Sequence, residues 1–218
     1  MIPLADDSRR PRRFPVVTTV VILANAIVFL MELTGGDDFV RQWSVIPADI
    51  VAGKHWVTIL TAMFMHAGWL HIIGNMVFLW AFGPEIEDAM GRPRYLIFYL
   101  LSGVVASAAQ IAAMRDSTVP NLGASGAIAG VMGAFLITYP RDRIRTLLLF
   151  GFFYRVTVIP AAVLIGLWFV TQLFSQLGSM ADVQSGGVAY LAHVGGFIFG
   201  AATARIFEGF RPVAEWDA

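Results

Sequence analysis

Charged residues in this chain fall in short clusters separated by long uncharged runs. No Asp, Glu, Lys or Arg occurs between Lys54 and Glu85, Arg94 and Arg115, Asp116 and Arg141, Arg155 and Asp182, or Asp182 and Arg205. A helix that crosses a bilayer needs about 20 predominantly apolar residues, and each of these five gaps has that length. The apolar run from Val16 to Met31 adds a sixth. The pattern therefore predicts an all-α, polytopic membrane protein with spans near residues 15–33, 67–84, 94–114, 123–140, 156–177 and 187–207. They form one domain over residues 14–207, with a basic arm at 1–13 and a tail at 208–218.

The connecting segments differ in character. Ala24-Asn25-Ala26 has the small-x-small form of a signal-peptidase site. The hydrophobic run nevertheless continues through Met31, so the segment is read as a retained span. Thr34 to Lys54 is too long for a tight turn, and its scattered apolar residues predict short amphipathic pieces in the interface. The uncharged stretch from Trp56 to Gly83 exceeds one crossing, which puts its first part outside the lipid core. Pro84 to Arg94 reads as a compact charged turn. Pro120 precedes a fourth helix that is short, starts near Ser125 and ends by Tyr139-Pro140, leaving a cavity above it that can admit water. Leu147 to Tyr154 is apolar and aromatic enough to lie along the interface. The Gly-rich loop from Gly178 to Gly187 is expected to move with the fifth span as a gate.

Composition agrees with a membrane class: 57% of the 218 residues are hydrophobic and 14% charged, and the mean hydropathy is +0.70. The formal net charge is zero, so its distribution carries the information. With the N-terminus inside, six spans return the C-terminus to the same side, and only Arg41, Lys54 and Arg115 among the basic residues fall outside. That bias sets the orientation, with both termini cytoplasmic. Zero cysteines exclude disulfide, iron–sulfur and thiol chemistry. No cluster of charged ligands lies inside a span, and no nucleotide-binding glycine loop is present, so neither a metal, a cofactor nor a nucleic-acid partner is expected.

Candidate chemistry lies in three segments. In Gly123-Ala124-Ser125-Gly126, Ser125 stands between glycines that accept a tight turn and leave room over its hydroxyl. Gly126, Gly130 and Gly133 leave one helix face bare, and Gly196 and Gly200 do the same beside His193, so two helices can approach closely. His71 and Asn75 are four apart and share a helix face, a costly pair to bury in lipid without a function. His66 falls five positions from His71 and reads more readily as an interfacial hydrogen-bonding residue. All three segments enter from the same side, which places Ser125, His193, His71 and Asn75 at one depth. A serine becomes a useful nucleophile beside a neutral imidazole, and Asn75, a His71 ring N–H and the Ser125 backbone N–H are donors suited to an oxyanion. No Asp or Glu lies inside spans two to six, so the arrangement is a Ser-His dyad oriented by helix packing.

The three motifs, His66-Ala67-Gly68-Trp69-Leu70-His71-Ile72-Ile73-Gly74-Asn75, Gly123-Ala124-Ser125-Gly126, and Ala192-His193-Val194-Gly195-Gly196 with Gly200, resemble those of the rhomboid-family intramembrane serine proteases in order and in helix. The resemblance implies a six-helix rhomboid-like bundle with an interfacial first outer loop, in a bacterial cell membrane. It implies Ser125 as nucleophile, His193 as base, His71 and Asn75 as oxyanion side chains, and His66, Gly123, Gly126, Gly196 and Gly200 in support. It further implies cleavage of transmembrane protein substrates near small residues, without a cofactor. Two positions depart from the family pattern. Trp56 is followed by Val57 where many members have Arg, and Ala129 stands where some bacterial members have a Tyr that stacks on the histidine. Tyr190 and Phe197 are the candidates for that stacking role. The alternative reading is a non-catalytic relative that binds or escorts transmembrane clients.

Overall fold

The computed structural model describes residues 1–151, 153–179 and 190–208. Eight α-helices lie among them: α1 (Val16–Trp43), α2 (Pro47–Val51), α3 (Thr58–Thr61), α4 (Trp69–Met90), α5 (Arg92–Ala113), α6 (Ser125–Thr138), α7 (Ala161–Ser179) and α8 (Tyr190–Phe207). The start of the last span at 187, the tail from 209 onward and nearly all of the 178–187 loop lie outside the described residues.

α6 is the axis of the bundle. Every residue from Gly126 to Phe135 is buried, and the helix is apolar on all sides, as a helix surrounded by protein must be. Phe82 of α4, Tyr95, Phe98 and Tyr99 of α5, and Leu164 and Ile165 of α7 belong to the same core. α6 and α8 meet backbone to backbone. A Cβ on Gly196 would overlap the Gly126 carbonyl, one on Gly200 would overlap the Gly130 carbonyl, and one on Gly133 would overlap the Phe197 carbonyl. The bare faces expected from the glycine spacing are thus turned toward each other.

Among the described residues three helices, α1, α5 and α8, are long and apolar enough to cross a membrane, and a fourth crossing results if α4 is joined to the segment before it. That segment, α3 with the 3₁₀ turn Ala62–Phe64, meets α4 at 90°, so the stretch longer than one crossing is broken where the surplus was expected. The apolar helices Ser125–Thr138 and Ala161–Leu173 are shorter than a full crossing. A helix enclosed by its neighbours need not match the thickness of the lipid.

Several expectations need correction. The fold is mostly helical, not all-α: β1 (Ile2–Asp6), β2 (Arg143–Phe150) and β3 (Phe153–Pro160) form an antiparallel sheet in the order β1-β2-β3. The segment 1–13, expected as a basic arm outside the domain, is tied into the sheet, where Ile2 pairs with Leu147 and Asp6 with Ile144. Leu147 to Phe150, with Phe153 and Tyr154, belong to the paired strands β2 and β3, and α7 starts at Ala161 instead of near 156 because β3 runs to Pro160. Much of the loop expected at 34–54 is helical, since α1 continues to Trp43 across a break at Gly36, whose φ of 62° suits glycine. The charged turn at 84–94 shrinks to Gly91 between α4 and α5, and its φ of 77° again suits glycine.

The connections between helices carry charge-assisted hydrogen bonds. Glu87, near the end of α4, accepts from the backbone N–H groups of Val17 at 3.0 Å and Thr18 at 2.8 Å, and from the Thr18 hydroxyl at 2.9 Å. These donors lie in the first turn of α1, which has no intrahelical acceptors and a partial positive charge. Near the other end of α1, Glu32 accepts from the His66 backbone N–H at 2.9 and 3.1 Å, holding down the segment that leads into α4.

Candidate active site

Ser125 is the first residue of α6, and its backbone N–H belongs to the turn that lacks intrahelical acceptors. His193 lies in the first turn of α8 and is buried. The close glycine packing of α6 on α8 sets their register, and within it His193 Nε2 lies 2.7 Å from Ser125 Oγ. The structure therefore brings together a hydroxyl and an imidazole that are 68 positions apart.

Gly123 sits where the loop enters the site. Its φ of +134° disfavours any side chain, and a Cβ there would lie 3.0 Å from the His71 ring and 3.5 Å from Ser125 Oγ. Its N–H donates to the Ala62 carbonyl at 2.9 Å, tying the loop to the turn before α4. His71 thus faces the serine across a glycine. The Ala67 backbone N–H donates to His71 Nδ1 at 3.3 Å. With Nδ1 accepting, the neutral ring carries its proton on Nε2, the nitrogen turned toward Gly123. Asn75, one turn further along α4, is buried, and its side-chain Nδ2 has no hydrogen-bond partner among the described residues. A buried donor without a partner costs free energy, so this one calls for an explanation.

His66 lies against His71 edge to face, with ring centroids 5.1 Å apart. The five-residue spacing that separated the two on a helical wheel does not apply, because α4 begins only at Trp69. Gly126, Gly196 and Gly200 act through the helix contact already described. Of the two candidates for the missing tyrosine, Tyr190 meets the His193 ring edge-on at 6.3 Å. Phe197 instead stacks on Phe169 at 4.4 Å. An unexpected ring is closer: Trp168 of α7 lies 5.8 Å from the imidazole at 40°. Trp56 and Val57, at the other departure from the family pattern, are both exposed.

One polar partner of the histidine was missed altogether. Gln172, also on α7, places Oε1 2.6 Å from His193 Nδ1. The sequence offers only a weak signal for it, since a polar side chain in an uncharged span is a functional candidate but Gln172 shares its span with Gln176. Beside Ser125 a cavity of about 40 Å³ opens, lined by Ala62, Met63, Ala106, Leu122, Ala127 and Ala192 among others. It has room for a few waters or one small side chain.

Comparison with known proteins agrees with this architecture. The family model described as Rhomboid domain matches residues 53–209. Rhomboid protease GluP of Bacillus subtilis is 34% identical over 119 residues, 53% of this chain and 23% of its own length. Rhomboid protein 1, mitochondrial, of Saccharomyces cerevisiae is 30% identical over 183 residues, 81% of this chain and 49% of its own. Rhomboid protease GlpG of Salmonella paratyphi A is 28% identical over 208 residues, 90% of this chain and 68% of its own. The chain thus spans about a quarter of the first of these relatives and half of the second. With a domain match over most of its length and relatives named as proteases in bacteria, the chain belongs to the rhomboid family.

Proposed function

We propose that the protein is an intramembrane serine endopeptidase that cleaves transmembrane proteins in a bacterial cell membrane, with its termini on the cytoplasmic side. The observation that carries this reading is the 2.7 Å approach of His193 Nε2 to Ser125 Oγ, within hydrogen-bond reach for a nucleophile and its base. Ser125 Oγ attacks the substrate carbonyl while Nε2 takes its proton. The new oxyanion accepts hydrogen bonds from the Ser125 N–H, the His71 Nε2–H and the otherwise unpartnered Asn75 amide. The positive end of α6 adds to their stabilisation. His193 then passes the proton to the leaving amine, and water, deprotonated by the same nitrogen, hydrolyses the acyl-enzyme. No cofactor is required. The small cavity beside Ser125 fits the preference for small residues that the family resemblance implies.

A fluorophosphonate probe tests the proposal on the full chain in detergent or liposomes. Labelling that disappears in Ser125→Ala, with His193→Ala folded but inert, is the expected result. A folded wild-type protein that takes no label would instead support a non-catalytic, client-binding relative.

A further inference from the structure

We propose that Gln172 is the orienting partner of the dyad, a positioning residue that holds the His193 proton on Nδ1 so that Nε2 faces Ser125 as an acceptor. The inference rests on the Ser-His reading above. A carbonyl oxygen can only accept, so the 2.6 Å contact between Gln172 Oε1 and His193 Nδ1 requires an N–H on that nitrogen. The Gln172 amide nitrogen is directed elsewhere, donating to Thr171 Oγ1 at 3.4 Å, which leaves the oxygen for the ring. A neutral imidazole has one N–H, so Nε2 keeps its lone pair, and its neighbour at 2.7 Å is the serine hydroxyl. The hydroxyl proton therefore points along the path of transfer. The other tautomer would place an N–H against Oγ and could not remove its proton.

This answers how a dyad without a carboxylate keeps the correct tautomer. A buried Asp would orient the ring more strongly, but at the cost of desolvating a charge in an apolar segment. An amide orients the same nitrogen without that cost. When the ring takes the serine proton, Oε1 goes on accepting from Nδ1, and its dipole favours the imidazolium. Gln172 and Trp168 are four apart and lie on one face of α7. The helix thus meets the imidazole twice, by the indole tilted beside it at 5.8 Å and the amide on its nitrogen. The base is correctly presented only while α7 is docked on α8.

Gln172→Met keeps length and apolar bulk but loses the acceptor, whereas Gln172→Glu restores one. In reconstituted full-length protein, Gln172→Met is expected to slow fluorophosphonate labelling of Ser125 roughly tenfold, the factor one hydrogen bond contributes. Gln172→Glu should recover most of that loss. Independently of catalysis, ¹⁵N-histidine NMR on the Ser125→Ala protein should show an Nδ1–H tautomer for His193, lost on adding Gln172→Met. Labelling of Gln172→Met at the wild-type rate, equal losses in both variants, or an Nε2–H tautomer in the parent would each overturn the assignment. Because the NMR arm needs no turnover, failure of the protease reading and failure of the Gln172 assignment remain distinguishable.

Discussion

The two ends of the α6 bundle put most of their polar groups to different use. Where α4 and α6 finish, against the sheet, such groups are largely spent on holding chain segments together. Glu87 caps α1, Arg9 pairs with Asp142 while its guanidinium lies 3.7 Å from the Tyr139 ring centroid, and the exposed Arg145 meets Asp7 at 2.5 Å. Two acceptors there, Asp6 Oδ2 and Glu85 Oε2, are nonetheless buried without a hydrogen-bond donor among the described residues. Where α6 begins, the polar groups are concentrated on Ser125 and several have no partner, among them the Asn75 amide and both ring nitrogens of His66. An unpaired buried donor destabilises the resting fold, and in the proposed reaction the Asn75 amide would meet a charge that develops only in the transition state. One end mainly consolidates the fold, and the other leaves donors unpaired at some cost in stability.

The comparison yields four tests, ordered by expected effect. The first challenges the frame that both ends share. Gly200→Leu drives a side chain into the Gly130 backbone, which close-packed helices cannot absorb. It should abolish activity and collapse the folded peak in size-exclusion chromatography. A monodisperse, active variant would show that backbone contact between α6 and α8 is not what sets the register.

Asn75→Ala separates function from stability at the site end. It should lower the turnover rate about 10- to 1000-fold, the range for loss of an oxyanion donor. The thermal midpoint should hold or rise, because an unpaired buried donor is removed. A lowered midpoint with unchanged turnover would make Asn75 a structural residue. Glu87→Leu is the counterpart at the sheet end. It strips three hydrogen bonds from the first turn of α1 and should destabilise by about 2 kcal/mol. Activity per folded molecule should stay within twofold, and a large loss would dissolve the distinction between the ends.

The smallest effect concerns pH. Burial, then a hydrogen bond with the Asp142 carboxyl, pushes the Asp6 carboxyl up from 3.8 to about 7. The fold therefore favours protonated Asp6. The stability this gives is fully present below the unfolded value of 3.8 and is lost as pH rises through about 7. Thermal midpoints of the wild type should fall between pH 5 and pH 8 by more than those of Asp6→Asn. Parallel curves for the two proteins would remove Asp6 as the source.

Much of the site was legible because its signals are local. The Gly123-Ala124-Ser125-Gly126 turn and the four-residue glycine spacings state a tight entry and a bare helix face in consecutive residues. The short fourth helix follows from Pro120 and Pro140, which bound it on both sides. What was missed depends on partners far away in the chain. Ile2 to Asp6 reads as part of a polar arm until it pairs with residues 144–147, because an isolated strand has no hydrogen-bond partners of its own. Gln172 looks like one more polar residue late in a span, and nothing near it indicates that its amide oxygen meets an imidazole on the next helix.

The sequence alone determined the apolar lengths, the charge clusters that bound them, and the small residues that let two helices touch, since each is a property of neighbouring side chains. The tertiary structure decided which apolar runs are long enough to cross lipid and which are sheltered by protein, where the terminal strand pairs, and which side chains meet the histidine. Those outcomes depend on contacts closed over tens to more than a hundred residues. A desolvated hydroxyl, imidazole and amide gain their chemistry only when the fold sets them within a hydrogen bond of one another.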